Sequence, residues 1–263
     1  MTYRLIATDL DGTLLRGDHT VSARTRRALA TATAAGADHI VVTGRPASRT
    51  LHIFDALDYQ GLAVCGQGAQ VYHAGERRLL TSVTLDRQVA ALALEKIESE
   101  VGRLAVAATR DGVDGAFLVE PGYRFVAELP VTTAHERERL WEEPIGKIFL
   151  QHPTLTDDAL ATAAEVAVGG LVGVVMAGEG LVELLPLGLS KATGLSLAAR
   201  RLGRTAATTI AFGDMPNDIP MFRWAAHGVA MAGAHPDLKA VADEVTAGNE
   251  EDGVAAVLER LYG

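Results

Sequence analysis

The chain has 263 residues, 48% of them hydrophobic and 22% charged, with a net charge of −9. Such a length admits one large domain or two small ones, and the composition is that of a globular protein. The acidic balance argues against nucleic acid or an anionic membrane as the main partner, since both demand a basic face; small phosphorylated molecules stay open.

In chain order, YRLIATD reads as a short buried strand, and SARTRRALATATAAG (22–36) as a helix with Ser22 as N-cap and Gly36 just past its end. A second buried strand ends at Thr43, before Gly44 and Pro46, and residues 46–57 read as helical. A third strand follows, then a hairpin turning at Ala74–Gly75. Strand–helix–strand order of this kind predicts a parallel α/β sheet. From there the texture changes. TLDRQVAALALEKIESEVG reads as a longer amphipathic helix. Short strands are predicted at Leu104–Thr109, Ala116–Glu120, Lys147–His152, Gly173–Met176 and Leu181–Leu184, and helices near Thr133–Trp141 and Thr156–Val168. The α/β rhythm resumes with a helix through KATGLSLAARRLG, a strand TTIAFGD, a helix after Pro216, and two short strands, GVAM and EVT. The expected architecture is therefore a Rossmann-like parallel-sheet core, residues 1–82 and 186–263, with an α+β module at 83–185 inserted as a cap over one edge of the sheet.

The first apolar run is broken by Asp9 and Asp11, so no signal peptide is expected. VAVGGLVGVVMAG (166–178) is too short and glycine-rich to span a bilayer and reads as a buried strand with its turn. The lone cysteine, Cys65, can make neither an internal disulfide nor a multi-thiolate metal site; a reducing cytoplasm and a small core residue are the expectations.

In open parallel sheets, ligands bind beyond the C-terminal strand ends. Three strands here carry polar residues at that end: Asp9, Thr43–Gly44, and FGDMPND with Asp214, Asn217 and Asp218; Lys191 opens the helix after the insertion. Oxygen ligands without a His or Cys cluster suit a hard cation such as Mg²⁺, which would also relieve the repulsion between neighbouring carboxylates. A carboxylate beside it can be a nucleophile, while a lysine and helix-start N–H groups hold a phosphoryl group. Each feature alone is also an ordinary structural device: D-x-D-G a turn, Thr-Gly a strand end, lysine a solvated surface residue. All four in this order, each at a strand end or helix start, favour a site.

Together DLDGTLL, VVTGRP, LSKATGL and GDMPNDIPM resemble the four motifs of the haloacid dehalogenase superfamily, in its Cof-type branch with a large α/β cap. The resemblance covers the whole chain, the cap matching in size and texture more than in motif. It implies a Mg²⁺-dependent phosphatase acting on a small phosphate monoester, a sugar phosphate or phosphorylated cofactor, through an aspartyl-phosphate. Asp9 would be the nucleophile, and Asp11 the acid that protonates the leaving oxygen and then activates water. Mg²⁺ would be held by the Asp9 side chain, the Asp11 carbonyl and Asp214, with Asp218 acting through the water shell or by orienting Lys191. The Leu10 and Gly44 amides, Thr43, Lys191 and Asn217 would hold phosphoryl oxygens. Two positions depart from the branch: Gln67–Gly68–Ala69 where Asn-Gly-Ala is usual, and Gly233 where Asn is often found. A phosphomutase and a non-catalytic phosphometabolite-binding protein are the alternatives, and monomer or homodimer stays open. The eight histidines are scattered; His152 and Arg124 are the cap residues ranked first for substrate contact, and Trp141 and Trp224 are read as packing.

Overall fold

The computed structural model describes residues 3–113, 115–124, 131–177 and 179–263. The described residues divide into two compact units, one within Met1–Thr81 and Ser190–Gly263, the other within Ser82–Leu189.

In the first unit, β1 (Leu5–Thr8), α1 (Ala23–Ala34), β2 (Asp38–Val42), α2 (Leu51–Leu57), β3 (Leu62–Cys65), β4 (Gln70–His73) and β5 (Arg78–Ser82) precede the insertion. The insertion carries α3 (Arg87–Val101), β6 (Ala105–Arg110), β7 (Phe117–Val119), β8 (Val131–Thr133), β9 (Ile145–Gln151), α4 (Asp157–Val168), β10 (Gly173–Met176) and β11 (Val182–Leu185). After it come α5 (Lys191–Arg201), β12 (Thr209–Gly213), α6 (Ile219–Trp224), β13 (His227–Ala230), α7 (Pro236–Lys239), β14 (Glu244–Val245) and α8 (Gly253–Tyr262).

Among the described residues, eight strands form one sheet in the order β14-β13-β12-β1-β2-β3-β4-β5. Its centre is parallel: β1 pairs with β12 on one side and β2 on the other. The hairpin strand β4 runs antiparallel to β3. Every residue of β1 is buried, as a parallel strand covered on both faces requires. The period of two sends its side chains to opposite layers. Leu5 and Ala7 pack with Leu195, Ala198, Met221 and Phe222 of α5 and α6, whereas Ile6 packs with Ala28, Ala32, Val257 and Leu258 of α1 and α8. The Ser22 hydroxyl caps α1 by accepting from Thr25 N–H, and Gly36 follows with φ +92°.

In the second unit, six strands lie in the order β10-β11-β9-β6-β7-β8. Ala90, Ala93, Leu94 and Ile97 line one stripe of α3 and pack with Val106, Ala108, Ile148 and Leu150 on one face of this sheet, α4 adding Leu160 and Ala164. Two expectations need correction, and one element is additional. No long helix covers 133–141: β8 ends at Thr133 and a short 3₁₀ turn spans Arg137–Trp141. Only Leu140 of that turn is buried, so no apolar stripe exists to dock a full helix, and Arg137 is drawn to Glu98 and Glu120 instead. Of the 166–178 window, residues 166–177 split between the end of α4 and β10, a half-buried edge strand, and residue 178 lies outside the described residues. The closing helix α8 was not anticipated as an element. Asn249 and Glu250, just before it, bond the Leu15 carbonyl and the Gly17 N–H, fastening the C-terminal segment to the turn after β1.

Candidate active site

The sheet order puts the C-terminal ends of β12, β1 and β2 side by side, so the residues that follow them meet on one rim. Asp9 leaves β1 almost fully buried, its N–H still in the ladder through the Phe212 carbonyl. Beyond it Gly12 turns the chain at φ +71°. A Cβ there would come within 2.2 Å of Asp214 Oδ2, so both the conformation and the lack of a side chain let the two segments meet.

Lys191 begins α5 under a capping box, Ser190 accepting from Thr193 N–H and Thr193 accepting from Ser190 N–H. Its Nζ donates to Asp9 Oδ1 at 2.7 Å and to Asp218 Oδ1 at 2.6 Å. Asp218 Oδ2 accepts from the N–H groups of Asp214 and Met215. Both Asp218 oxygens are thus engaged, which makes it an anchor for Lys191 and for the 214–218 turn. Asp214 Oδ1 accepts from Thr13 Oγ1 at 3.2 Å.

One carboxylate oxygen from each of Asp9, Asp214 and Asp218 falls within 4.8 Å of the others. Three carboxylates, those of Asp9 and Asp218 buried and that of Asp214 half-buried, face a single ammonium, so acids outnumber the base. Burial, then Asp218 and Asp214, pushes the Asp9 carboxyl well above its usual range, against the pull of Lys191. Asp214 is pushed up to about 6, first by burial and then by Asp218. Burial disfavours the Lys191 ammonium, yet Asp218 and Asp9 hold its pKa above the ordinary lysine value. This uncompensated charge and the all-oxygen donor set fit a hard divalent cation, with Asp9 and Asp214 as the carboxylates able to face it.

The remaining predicted residues are not all gathered at the cluster. Asp11 has its carboxylate in a two-pronged pair with Arg45, Nε to Oδ2 at 2.8 Å, and is half exposed. Leu10 and Thr43 are buried, and Thr43 Oγ1 accepts from the Arg45 N–H, so its own proton is left to donate. Asn217 Nδ2 donates to Gln67 Oε1 at 3.1 Å. Arg45 and Thr13 are neighbours that motif reading passed over, although both stand inside the quoted motifs, and Gln67, noted only as a departure from the branch, contacts Asn217. Of the cap residues ranked first, His152 has both ring nitrogens engaged by backbone groups of Val101, Thr154 and Leu155, and Arg124 is exposed. Cys65 is a buried core thiol pushed up to about 12 by burial, and Trp141 and Trp224 pack against the two cores. No helix among the described residues is long and apolar enough to cross a membrane.

Comparison with known proteins bears on family and fold. The sequence profile of the haloacid dehalogenase-like hydrolases matches residues 6–258. The chain is 28% identical to the phosphatase YwpJ of Bacillus subtilis, covering 98% of this chain and 99% of the relative. It is 29% identical to 5-amino-6-(5-phospho-D-ribitylamino)uracil phosphatase YitU of the same organism, covering 98% and 97%. A solved haloacid dehalogenase-like hydrolase from B. subtilis superposes with a TM-score of 0.83 at 26% identity, over 98% of this chain and 99% of that one. The chain belongs to the haloacid dehalogenase-like hydrolases, as a phosphatase of that family.

Proposed function

We propose that the protein hydrolyses a small phosphate monoester, a sugar phosphate or phosphorylated cofactor, through an aspartyl-phosphate on Asp9, with Mg²⁺ as cofactor. The observation that carries this reading is the buried Asp9 carboxylate held at 2.7 Å by Lys191, with Asp214 beside it. A purely structural ion pair has no need of a second buried carboxylate and a third, half-buried one, which cost stability when they lack a partner.

Asp9 attacks phosphorus through a carboxylate oxygen, the P–O bond to the leaving group breaks, and Asp11 delivers its proton to the departing oxygen. Asp11 then takes a proton from water as that water attacks the phosphorus of the aspartyl-phosphate; this releases inorganic phosphate and restores Asp9. Lys191 keeps Asp9 in place and offsets charge on the transferring group. Thr43, the amides of Leu10 and Gly44, and Asn217 hold the phosphoryl oxygens. Asp9, Asp214 and the Asp11 carbonyl would hold Mg²⁺, which would supply charge neutralisation at the phosphoryl group. For its carboxylic acid to serve, Asp11 exchanges Arg45 for the leaving oxygen. The inserted unit chooses the leaving group, and the single buried thiol fits a reducing cytoplasm.

The test is phosphate release from a broad panel of small phosphate esters with Mg²⁺. Release that is lost in Asp9→Asn and on chelation supports the reading; release that survives either change refutes it.

A further inference from the structure

Gln67 stands in the turn between β3 and β4, where its side chain is 1% exposed. Its backbone is left-handed, φ +59° and ψ 24°, a conformation in which a long L side chain is costly. The turn is pressed from two directions. A Cβ on Gly44 would come within 2.6 Å of Gln67 Nε2, and a Cβ on Gly68 within 2.1 Å of the Ser190 carbonyl, immediately before Lys191. The Gln67 carboxamide therefore touches the Thr43–Gly44 strand end and Asn217 at once, and its turn abuts the start of α5. Its Oε1 accepts from Asn217 Nδ2, while Asn217 Oδ1 is buried with no hydrogen-bond partner among the described residues.

A carboxamide has two faces of opposite polarity, and a neighbour that binds one end decides what the other end presents. An unpaired buried acceptor costs about 1–3 kcal/mol, and Asn217 Oδ1 can be satisfied only by a donor such as a water or a ligand hydroxyl, while the second Nδ2 proton is the group that a phosphoryl oxygen can accept. A strained non-glycine turn kept beside such an atom is the kind of expense found at functional sites.

We propose that Gln67 is a positioning residue of the phosphoryl site: it acts through Asn217, fixing the direction of that carboxamide toward the bound phosphoryl group and its surroundings. This rests on the function proposed above and adds to it a residue that touches no reacting atom. A mere space-filling role for Gln67 predicts a loss of stability with no special tie to Asn217. A positioning role predicts that Gln67 matters only while Asn217 is present.

The experiment is a double-mutant cycle on Gln67→Met and Asn217→Ala, read as kcat/KM for p-nitrophenyl phosphate, inhibition by inorganic phosphate, and melting temperature. Gln67→Met is expected to lower kcat/KM about 10-fold and weaken phosphate inhibition in parallel, and the double variant to be no worse than Asn217→Ala alone. Gln67→Asn, which tolerates the left-handed turn better but ends one methylene short, covers the case in which Gln67→Met does not fold; it too should lose activity only when Asn217 is intact. Losses that multiply in the double variant, or a Gln67→Asn enzyme equal to wild type, overturn the proposal. Should the wild type release no phosphate at all, the proposed function fails by itself. The same cycle, read by calorimetry as Mg²⁺-dependent binding of inorganic phosphate, then decides the role of Gln67.

Discussion

Lys191 and Asp9 stand 182 residues apart in the chain, and their charged atoms are 2.7 Å apart in the fold. The lysine opens the helix after the insertion, and the aspartate closes the first strand. Their contact brings the two halves of the interrupted core together at the point where charge has to be balanced.

Removing the ammonium strands two buried carboxylates. Lys191→Met should lower the stability of the metal-free protein by about 3 kcal/mol or more and reduce kcat by at least about 100-fold. Asp9→Asn should behave in the opposite way toward stability. It removes a carboxylate whose ionised form is disfavoured by burial, so its metal-free melting temperature should equal or exceed wild type while turnover is lost. Thermal denaturation in EDTA, paired with phosphate release, reads both.

Gly12→Ala tests the close approach of the first turn to Asp214. The new Cβ meets a carboxylate oxygen at 2.2 Å, and φ +71° adds about 1–2 kcal/mol of backbone strain. Activity should fall at least about 10-fold, with a higher Mg²⁺ concentration needed for half-maximal rate. An unchanged Mg²⁺ requirement would show that Asp214 and Gly12 are not coupled through the cation site.

The raised Asp214 pKa gives a pH signature. With its folded pKa near 6, above the ordinary 3.8, the stability that this carboxyl contributes in protonated form is present at low pH and is lost as pH rises through about 6. A divalent cation competes with that proton. Mg²⁺ should therefore raise the melting temperature more at pH 8 than at pH 5, and the difference should shrink in Asp214→Asn.

The inserted unit holds its own charge network, with Glu120 buried and Arg137 and Glu98 partly buried. Arg137 donates to Glu120 Oε1 at 2.6 Å and to Glu98 Oε2 at 2.7 Å, and Glu120 also accepts from the Val106 N–H. Arg137→Met leaves both glutamates without that partner and should cost this unit about 3 kcal/mol. Limited proteolysis should then cut faster within residues 82–189, leaving the rate of cutting elsewhere unchanged.

What could be read from the chain follows physical lines. The central strands were legible because a parallel strand covered on both faces needs an unbroken apolar run, as in LIAT and IAF. Three of the four motifs were legible because each stands where such a run stops, and the fourth, at Lys191, because it opens a helix behind a Ser190 cap. The closing helix α8 was harder to see: Asp252 before it is left-handed and offers no side-chain cap, so no start signal marks it. The stretch 133–141 reads as a helical candidate, while the ion pairs of Arg137 and the pairing of β8 with β7 decide otherwise. The contacts of Arg45 with Asp11 and of Gln67 with Asn217 join loops 34 and 150 residues apart. No periodicity records a pairing between two loops, so these partners emerge only when the strands are set in order.

The central claim is that Asp9 carries the phosphoryl group. It is tested most directly by acid-quenching the enzyme during turnover of a phosphate ester radiolabelled in its phosphoryl group, then mapping the label. The account predicts label bound covalently to the peptide containing Asp9, released by hydroxylamine and absent in Asp9→Asn. Steady turnover with label on another residue would contradict it.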